Sequence, residues 1–289
     1  MPQPAEAARP TQPKQPAPAN QHERLRSFEA PALYQTTVRG KPVPRDEELI
    51  GDYAQPRWTT RRRFPTTRVY VRPRGTLSVE YWLESKFNLK DADEQRYRSQ
   101  FEFEMGLGHR LQLDFYLTTE QDGFSAPLLL ASEKIELRYA FADWGVLPTN
   151  PTIYFEWVHQ HDGPQKLEGK LLFGGPITTR LFWGANLVYE QELAGDHEKE
   201  IMLTGAISRT IVDDRFSLGV EVQGEMVHRD GESFPVSHEV LAGPSIQWLP
   251  VPAVHIDLVL LFGFEHERGG DTNRTVPLAE PLLVLGYEI

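Results

Sequence analysis

The sequence predicts an all-β chain: an antiparallel up-and-down barrel of about twelve strands behind a disordered Pro-rich arm. Three observations carry this. Residues 98–121 contain two runs of strict apolar/polar alternation around a very short polar turn, Gly108-His109-Arg110. Phe101, Phe103, Met105 and Leu107 fall on one face of the first run, and Leu111, Leu113, Phe115 and Leu117 on one face of the second. A period of two is the pleat of a strand, so the pair reads as a β-hairpin with one wholly apolar face. The same alternation recurs through residues 76–289, and the connections between its segments are alternately short and long.

Taken in order, residues 1–21 are rich in Pro, Ala and Gln without apolar periodicity, the composition of a disordered, partly polyproline-like tether. Residues 22–75 have too few aliphatic side chains for a core of their own, yet they hold Tyr34, Tyr53, Trp58, Phe64 and Tyr70, which a linker seldom carries. The barrel is expected over 76–289. Its first strand, 77–87, sets Leu77, Val79, Tyr81 and Leu83 against Ser78, Glu80, Trp82 and Glu84. The hairpin supplies the second and third. The fourth, 132–143, sets Ile135, Leu137, Tyr139 and Phe141 against Glu136, Arg138, Ala140 and Ala142. Then follow 152–161, 166–175, 179–191, 198–210, 216–228, 238–249, 254–266 and 281–289. Among the connections, 119–131, 229–237 and 267–280 read as long, while 108–110, 176–178, 211–215 and 250–253 read as short. Alternate connections lie at the same end of a sheet, so one end is trimmed and the other carries extended loops. The Pro/Gly-rich segment 144–151 is a partial exception on the trimmed end.

Composition narrows the class. The chain has no cysteine, which excludes a disulfide framework or thiolate metal site but not an oxidising compartment. No stretch nears the roughly 20 apolar residues of a membrane helix. A chain that spans lipid without such helices must close into a barrel, because only closure pairs every backbone N–H and C=O. Met1 is followed at once by proline and polar residues, so no signal peptide is visible and a mature form is expected. The net charge of −11 is unevenly spread: residues 22–75 hold 12 Lys/Arg against 6 Asp/Glu, and residues 76–289 hold 16 against 34. So acidic a body would repel phosphate, which argues against a nucleic-acid partner.

If the apolar face meets lipid, the other face lines the interior. The residues expected there are Glu80, Glu84, Glu102, Glu104, Asp114, Glu136, Arg138, Glu156, Glu168, Lys170, Glu190, Glu221, Glu225, Asp257 and Glu265. A soluble barrel with the same alternation would place these charges in water instead. Aromatic residues near strand ends (Trp82, Trp144, Trp157, Trp183, Trp248, Tyr139, Tyr154, Tyr189, Tyr287) suit the interface girdles of a membrane barrel. With this loop rhythm and these faces, residues 76–289 resemble a Gram-negative outer-membrane β-barrel, porin-like in general plan. Barrels of that group usually end in an alternating apolar strand with a terminal aromatic, which implies recognition by the assembly machinery. Leu283, Leu285 and Tyr287 keep the alternation, and Ile289 is aliphatic where an aromatic is usual. The resemblance implies outer-membrane lipid as surroundings and small solutes or cations as cargo, and it matches no particular transporter family.

Enzymatic chemistry finds little support. The Ser/His/Asn site of an outer-membrane phospholipase has no counterpart here. His238 adjoins Ser237 and Glu239, but neighbours in a strand point to opposite faces. His159 and His161 share a face beside Asp162, yet spacing fixes no third ligand, so no metal or other cofactor is assigned. Gly174-Gly175-Pro176 and Gly269-Gly270 read as turns. The basic stretch containing Arg57, Arg61, Arg62, Arg63, Arg68, Arg72 and Arg74 has two readings: a periplasmic arm that contacts a protein partner, or a plug drawn into the barrel by the carboxylates. The leading expectation is a channel for small solutes with an acidic, cation-favouring lumen that this stretch would plug or gate. A non-conducting barrel that anchors a partner complex and a soluble ligand-binding barrel are the alternatives.

Overall fold

The computed structural model describes residues 45–91, 94–231, 236–269 and 272–289. Two short strands, β1 (Leu49–Ile50) and β2 (Gln55–Pro56), and a 3-10 turn (Arg57–Thr60) come first. Twelve strands then close into an antiparallel barrel: β3 (Leu77–Asn88), β4 (Gln95–Gly108), β5 (Leu111–Asp122), β6 (Leu129–Ala140), β7 (Thr152–Gln160), β8 (Lys166–Thr178), β9 (Leu181–Glu192), β10 (Lys199–Val212), β11 (Phe216–His228), β12 (Ser237–Val251), β13 (Val254–Gly269) and β14 (Thr272–Glu288). Each strand pairs with its sequence neighbours. β14 returns to β3 in a ladder running from Leu278↔Asn88 to Glu288↔Ser78, which leaves no free edge.

The apolar residues of the opening hairpin lie on the outside. Phe101, Phe103, Met105, Leu107, Phe115 and Leu117 are 40–48% exposed, while Glu102, Glu104, Gln112 and Asp114 between them are at most 2% exposed. Exposed apolar residues recur on every strand from β3 to β14. This is the reverse of a soluble barrel and suits a surface covered by lipid. Of the residues expected in a girdle, Trp157, Trp248, Tyr189 and Tyr287 are exposed on the outer surface. Three others are not. Trp82 and Tyr154 have the parity of Glu80 and Glu156 and face inward, and Trp144 packs on Trp58 and Tyr70. Period two fixes the face, so nearness to a strand end could not move them outward.

One end of the barrel carries the tight turns 109–110, 179–180, 213–215 and 252–253. His109 and Arg110 both adopt positive φ, at 54° and 61°, the geometry that matches the twist of a two-residue hairpin. The same end carries 141–151, the anticipated exception. At the opposite end, two of the long loops are shorter than expected. β5 and β6 leave only 123–128 between them, and most of 267–280 continues as strand, with Glu267↔Arg274 and Arg268↔Asn273 paired. Charges and Pro277 and Pro281 disguised that stretch. Both prolines sit where the ladder to β3 is absent or interrupted, between Ala279↔Phe87 and Leu282↔Glu84 and beyond Leu278↔Asn88, so no pairing N–H is lost there. The final strand therefore starts at Thr272, not at residue 281.

Gly174, Gly175 and Pro176 are also strand, inside β8, where a turn was expected. A Cβ on Gly174 would lie 2.4 Å from Val69 Cγ1, and one on Gly184 would crowd Val69, Thr67 and Phe64. On Gly106 it would come 2.0 Å from the Pro73 carbonyl oxygen. These inward glycines are clearances for residues 64–73, which lie within the ring of strands.

Candidate functional site: the lumen and the segment inside it

Residues 45–76 are shaped before they meet the wall. Gly51 (φ 65°) turns β1 into β2, and Gln55 donates to Thr59 Oγ1 at 3.0 Å and to the Val71 carbonyl at 2.8 Å, tying the two limbs together. Within the 3-10 turn the Thr59 and Thr60 hydroxyls donate back to the carbonyls of Pro56 and Arg57. Trp58, Phe64 and Val71 are almost wholly buried, in a cluster with Phe182 of β9 and Ala206 of β10. Gly75 N donates to Gly106 O at 2.8 Å and Gly106 N to Thr76 O at 3.0 Å, so the segment joins β3 alongside β4.

Its arginines reach much of the circumference. Arg62 donates to Glu80 at 2.7 Å and Glu102 at 2.8 Å, and its guanidinium lies 3.7 Å over the Trp82 ring. Arg68 reaches Glu102 at 3.0 Å, Glu80 at 3.4 Å and, very closely, Glu104. Arg72 bonds Glu104 at 2.8 Å and the Thr60 carbonyl at 2.9 Å. Arg61 pairs with Asp214 and donates to the Pro252 carbonyl, while Arg63 joins Asp46 to Thr210 of β10. Thr66 N donates to Glu221 of β11 at 2.9 Å, and Arg68 N to Asn186 of β9 at 2.9 Å. Burial alone would lower the Arg68 pKa, but the carboxylates of Glu104, Glu80 and Glu102 hold it well above the ordinary value. Tyr70 donates to the Ala142 carbonyl, and burial together with Asp143 raises its phenol. Two of the seven arginines stand apart: Arg57 pairs with Glu48 at 3.1 Å near the surface, and Arg74 is exposed beside Gly108.

The sequence-selected wall residues fall into two tiers. Near the tight turns, Glu80, Glu102 and Glu104 meet the arginines above, and Glu221 meets Thr66. Asp114 and Glu136 are held by Arg138, which also donates to the Tyr70 carbonyl at 3.2 Å. Asp257 holds His255 Nδ1 at 2.5 Å, and His255 Nε2 faces Glu80 at 3.5 Å. Toward the loop end lie Glu84, Glu156, Glu168, Lys170, Glu190, Glu225 and Glu265 on the same inward parity. Most of these are paired across the wall: Lys134–Glu156 at 3.2 Å, Lys170–Glu168 at 2.8 Å, Lys166–Glu190 at 2.7 Å and Lys86–Glu265 at 3.1 Å.

Sequence reasoning overlooked the cations of this upper wall. Lys86, Arg98, Lys134 and Lys166 alternate with the same inward carboxylates, and that parity was the available signal. It also passed over Glu239 and Glu280, which share Lys86 with Glu265. The upper wall is thus less anionic than its acids alone suggest. Between the two tiers lies a cavity of about 180 Å³, floored by Arg62, Pro65, Thr66 and Arg68 and walled by Trp82, Tyr116 and Tyr154 among others. Residues 1–44, including the expected arm and the first part of the basic segment, lie outside the described residues.

No protein-family model matches this chain and no curated protein matches it. Solved structures do. An outer-membrane channel from Pseudomonas putida F1 is similar with a TM-score of 0.51 at 10% identity, over 76% of this chain and 98% of that one. The NanC porin (TM-score 0.48, 10% identity, 72% of this chain and 98% of that) and the KdgM porin in complex with disordered oligogalacturonate (0.44, 14%, 73% and 98%) are also similar. At such identities the likeness concerns the fold. With closure by twelve strands and an apolar exterior, the chain has the architecture of a Gram-negative outer-membrane β-barrel, porin-like in plan.

Proposed function

We propose that the chain is an outer-membrane channel for small polar solutes whose own residues 45–75 close the lumen at the tight-turn end, and whose carboxylate-rich lower wall favours cations once that segment is displaced. The observation that carries this is the insertion of Arg62, Arg68 and Arg72 among Glu80, Glu102 and Glu104. Guanidinium–carboxylate pairs are strong where water is scarce, and leaving those carboxylates unpaired in the same place is costly. Displacement therefore requires water to follow, and the freed glutamates then form the acidic lining that concentrates cations.

Planar-bilayer recording of the whole chain beside a variant lacking residues 1–75 tests this. The whole chain is expected to conduct weakly and the truncated barrel several-fold more, with a reversal potential in a KCl gradient that marks cation preference. Equal conductance would exclude closure by the segment, and anion preference would overturn the acidic-lining assignment. A second reading, a sealed barrel that anchors its N-terminal region to a partner complex, is favoured by the apolar side of the segment. Trp58, Phe64 and Val71 are at most 2% exposed, which suits a permanent filling. No conductance from the whole chain under any applied voltage, together with a stable co-purifying protein, would favour that reading.

A further inference from the structure

On the outer side of the sheet, where β6 and β7 approach the loop end, the fold assembles three donors that lie apart in the sequence. Glu133 of β6 stands directly opposite His159 of β7. The His161 amide donates to the Ala131 carbonyl at 2.9 Å, so the pairing continues past the strand and leaves His161 on the same side as His159. The two imidazoles lie 5.3 Å apart, and one donor atom from each of the three residues lies within 4.8 Å of the other two.

Glu133 Oε2 sits 2.9 Å from His161 Nε2 and is shielded from solvent without a well-aligned donor, although the side chain is 40% exposed. Two lone-pair atoms at that separation are close to the roughly 3.4 Å between ligands on a tetrahedral ion with bonds of about 2.0–2.2 Å. The ring of His159 is stacked on Trp157 at 6.0 Å and 26°, and Trp157 Nε1 donates to Gln165 Oε1 at 3.0 Å. The stack restricts the orientations open to the His159 imidazole.

We propose that Glu133, His159 and His161 form a His2Glu site for a borderline divalent cation of the zinc class. Two imidazoles and one carboxylate suit Zn²⁺, Ni²⁺ or Cu²⁺ and not Ca²⁺ or Mg²⁺, which take oxygen donors. Three protein ligands leave the fourth position open to water. A bound ion would join β6 to the start of the loop 161–165, outside the lumen, so the site stands or falls separately from any conduction.

The test is zinc titration of the full chain in detergent, stripped of metal and competed against a chromogenic chelator. One equivalent is expected to bind. Glu133→Gln, His159→Ala and His161→Ala should each weaken it by at least about tenfold, and the triple variant should abolish it. His238→Ala/His266→Ala, which removes another close imidazole pair at 5.1 Å, should leave it unchanged. Visible absorption of the Co²⁺-loaded protein should show the intense bands of four- or five-coordinate cobalt, absent from the triple variant, while heat-modifiable gel migration confirms that the variants fold. Unchanged zinc affinity in the triple variant, or loss confined to the His238/His266 variant, would overturn the site.

Discussion

The two halves of the lumen use the same residue types to opposite ends. Near the tight turns, Glu80, Glu102 and Glu104 are buried and answered by arginines from a segment that is not part of the wall. Near the loops, Glu84, Glu156, Glu168 and Glu190 are answered by Arg98, Lys134, Lys170 and Lys166 of the wall itself, and these cations are partly accessible. The upper pairs border a cavity of about 180 Å³, and the lower ones fill the bore. A charge count along the strands gives no hint of this contrast. What separates these two sets of glutamates is whether the countercharge belongs to a strand or arrives from elsewhere in the chain.

The largest effect that would break the contrast is removal of the arriving charge. Arg62→Met together with Arg68→Met leaves Glu80 and Glu102 without their arginines and Glu104 with Arg72 alone, and breaking buried pairs in this way costs about 3–5 kcal/mol. Protease cleavage within 57–74 should accelerate sharply and conductance should rise; a protected segment would mean that its apolar contacts suffice. A smaller effect separates shape from charge. Gly184→Leu fills the space taken by Phe64, Thr67 and Val69 without touching an ion pair, and overpacking of this kind costs about 1–3 kcal/mol. It is expected to raise conductance as the arginine variant does, and identical conductance to the unaltered chain would show that the fit at β9 is loose. The smallest effect belongs to the upper wall. Arg98→Ala removes a well-exposed partner of Glu84 and Glu120 and should shift unfolding by no more than about 1 kcal/mol. Its readout is selectivity: the open barrel should become more cation-preferring, and a shift toward anions would contradict the wall assignment.

Much of the barrel is legible in the sequence because lipid and water impose a period of two that sequence displays directly. Phe101 to Leu107 and Leu111 to Leu117 announced both the hairpin and its outer face. Charges and Pro277 interrupt that signal between Thr272 and Glu280, where Val276 and Leu278 face inward, which is why the stretch read as a loop. The complementarity of arginine and glutamate was visible as an option, but its geometry was not. Gly174 looked like a turn because a glycine that makes room for a distant Val69 is indistinguishable, in sequence, from one that bends the chain. His159 and His161 were conspicuous, whereas Glu133 became their neighbour only through the β6–β7 register.

The contacts of Arg61 and Arg63 also bear on the order of assembly. Arg61 bonds Asp214 and Pro252, 153 and 191 residues away, and Arg63 bonds Thr210, 147 residues away. Such separations carry a large loop-closure cost until the strands between them are in place. The stretch that emerges early in synthesis therefore completes its docking late, once the wall that holds its partners has curled round. Until then the glutamates of β3 and β4 lack these partners, and docking of the segment is expected to be the step that dries the lower bore.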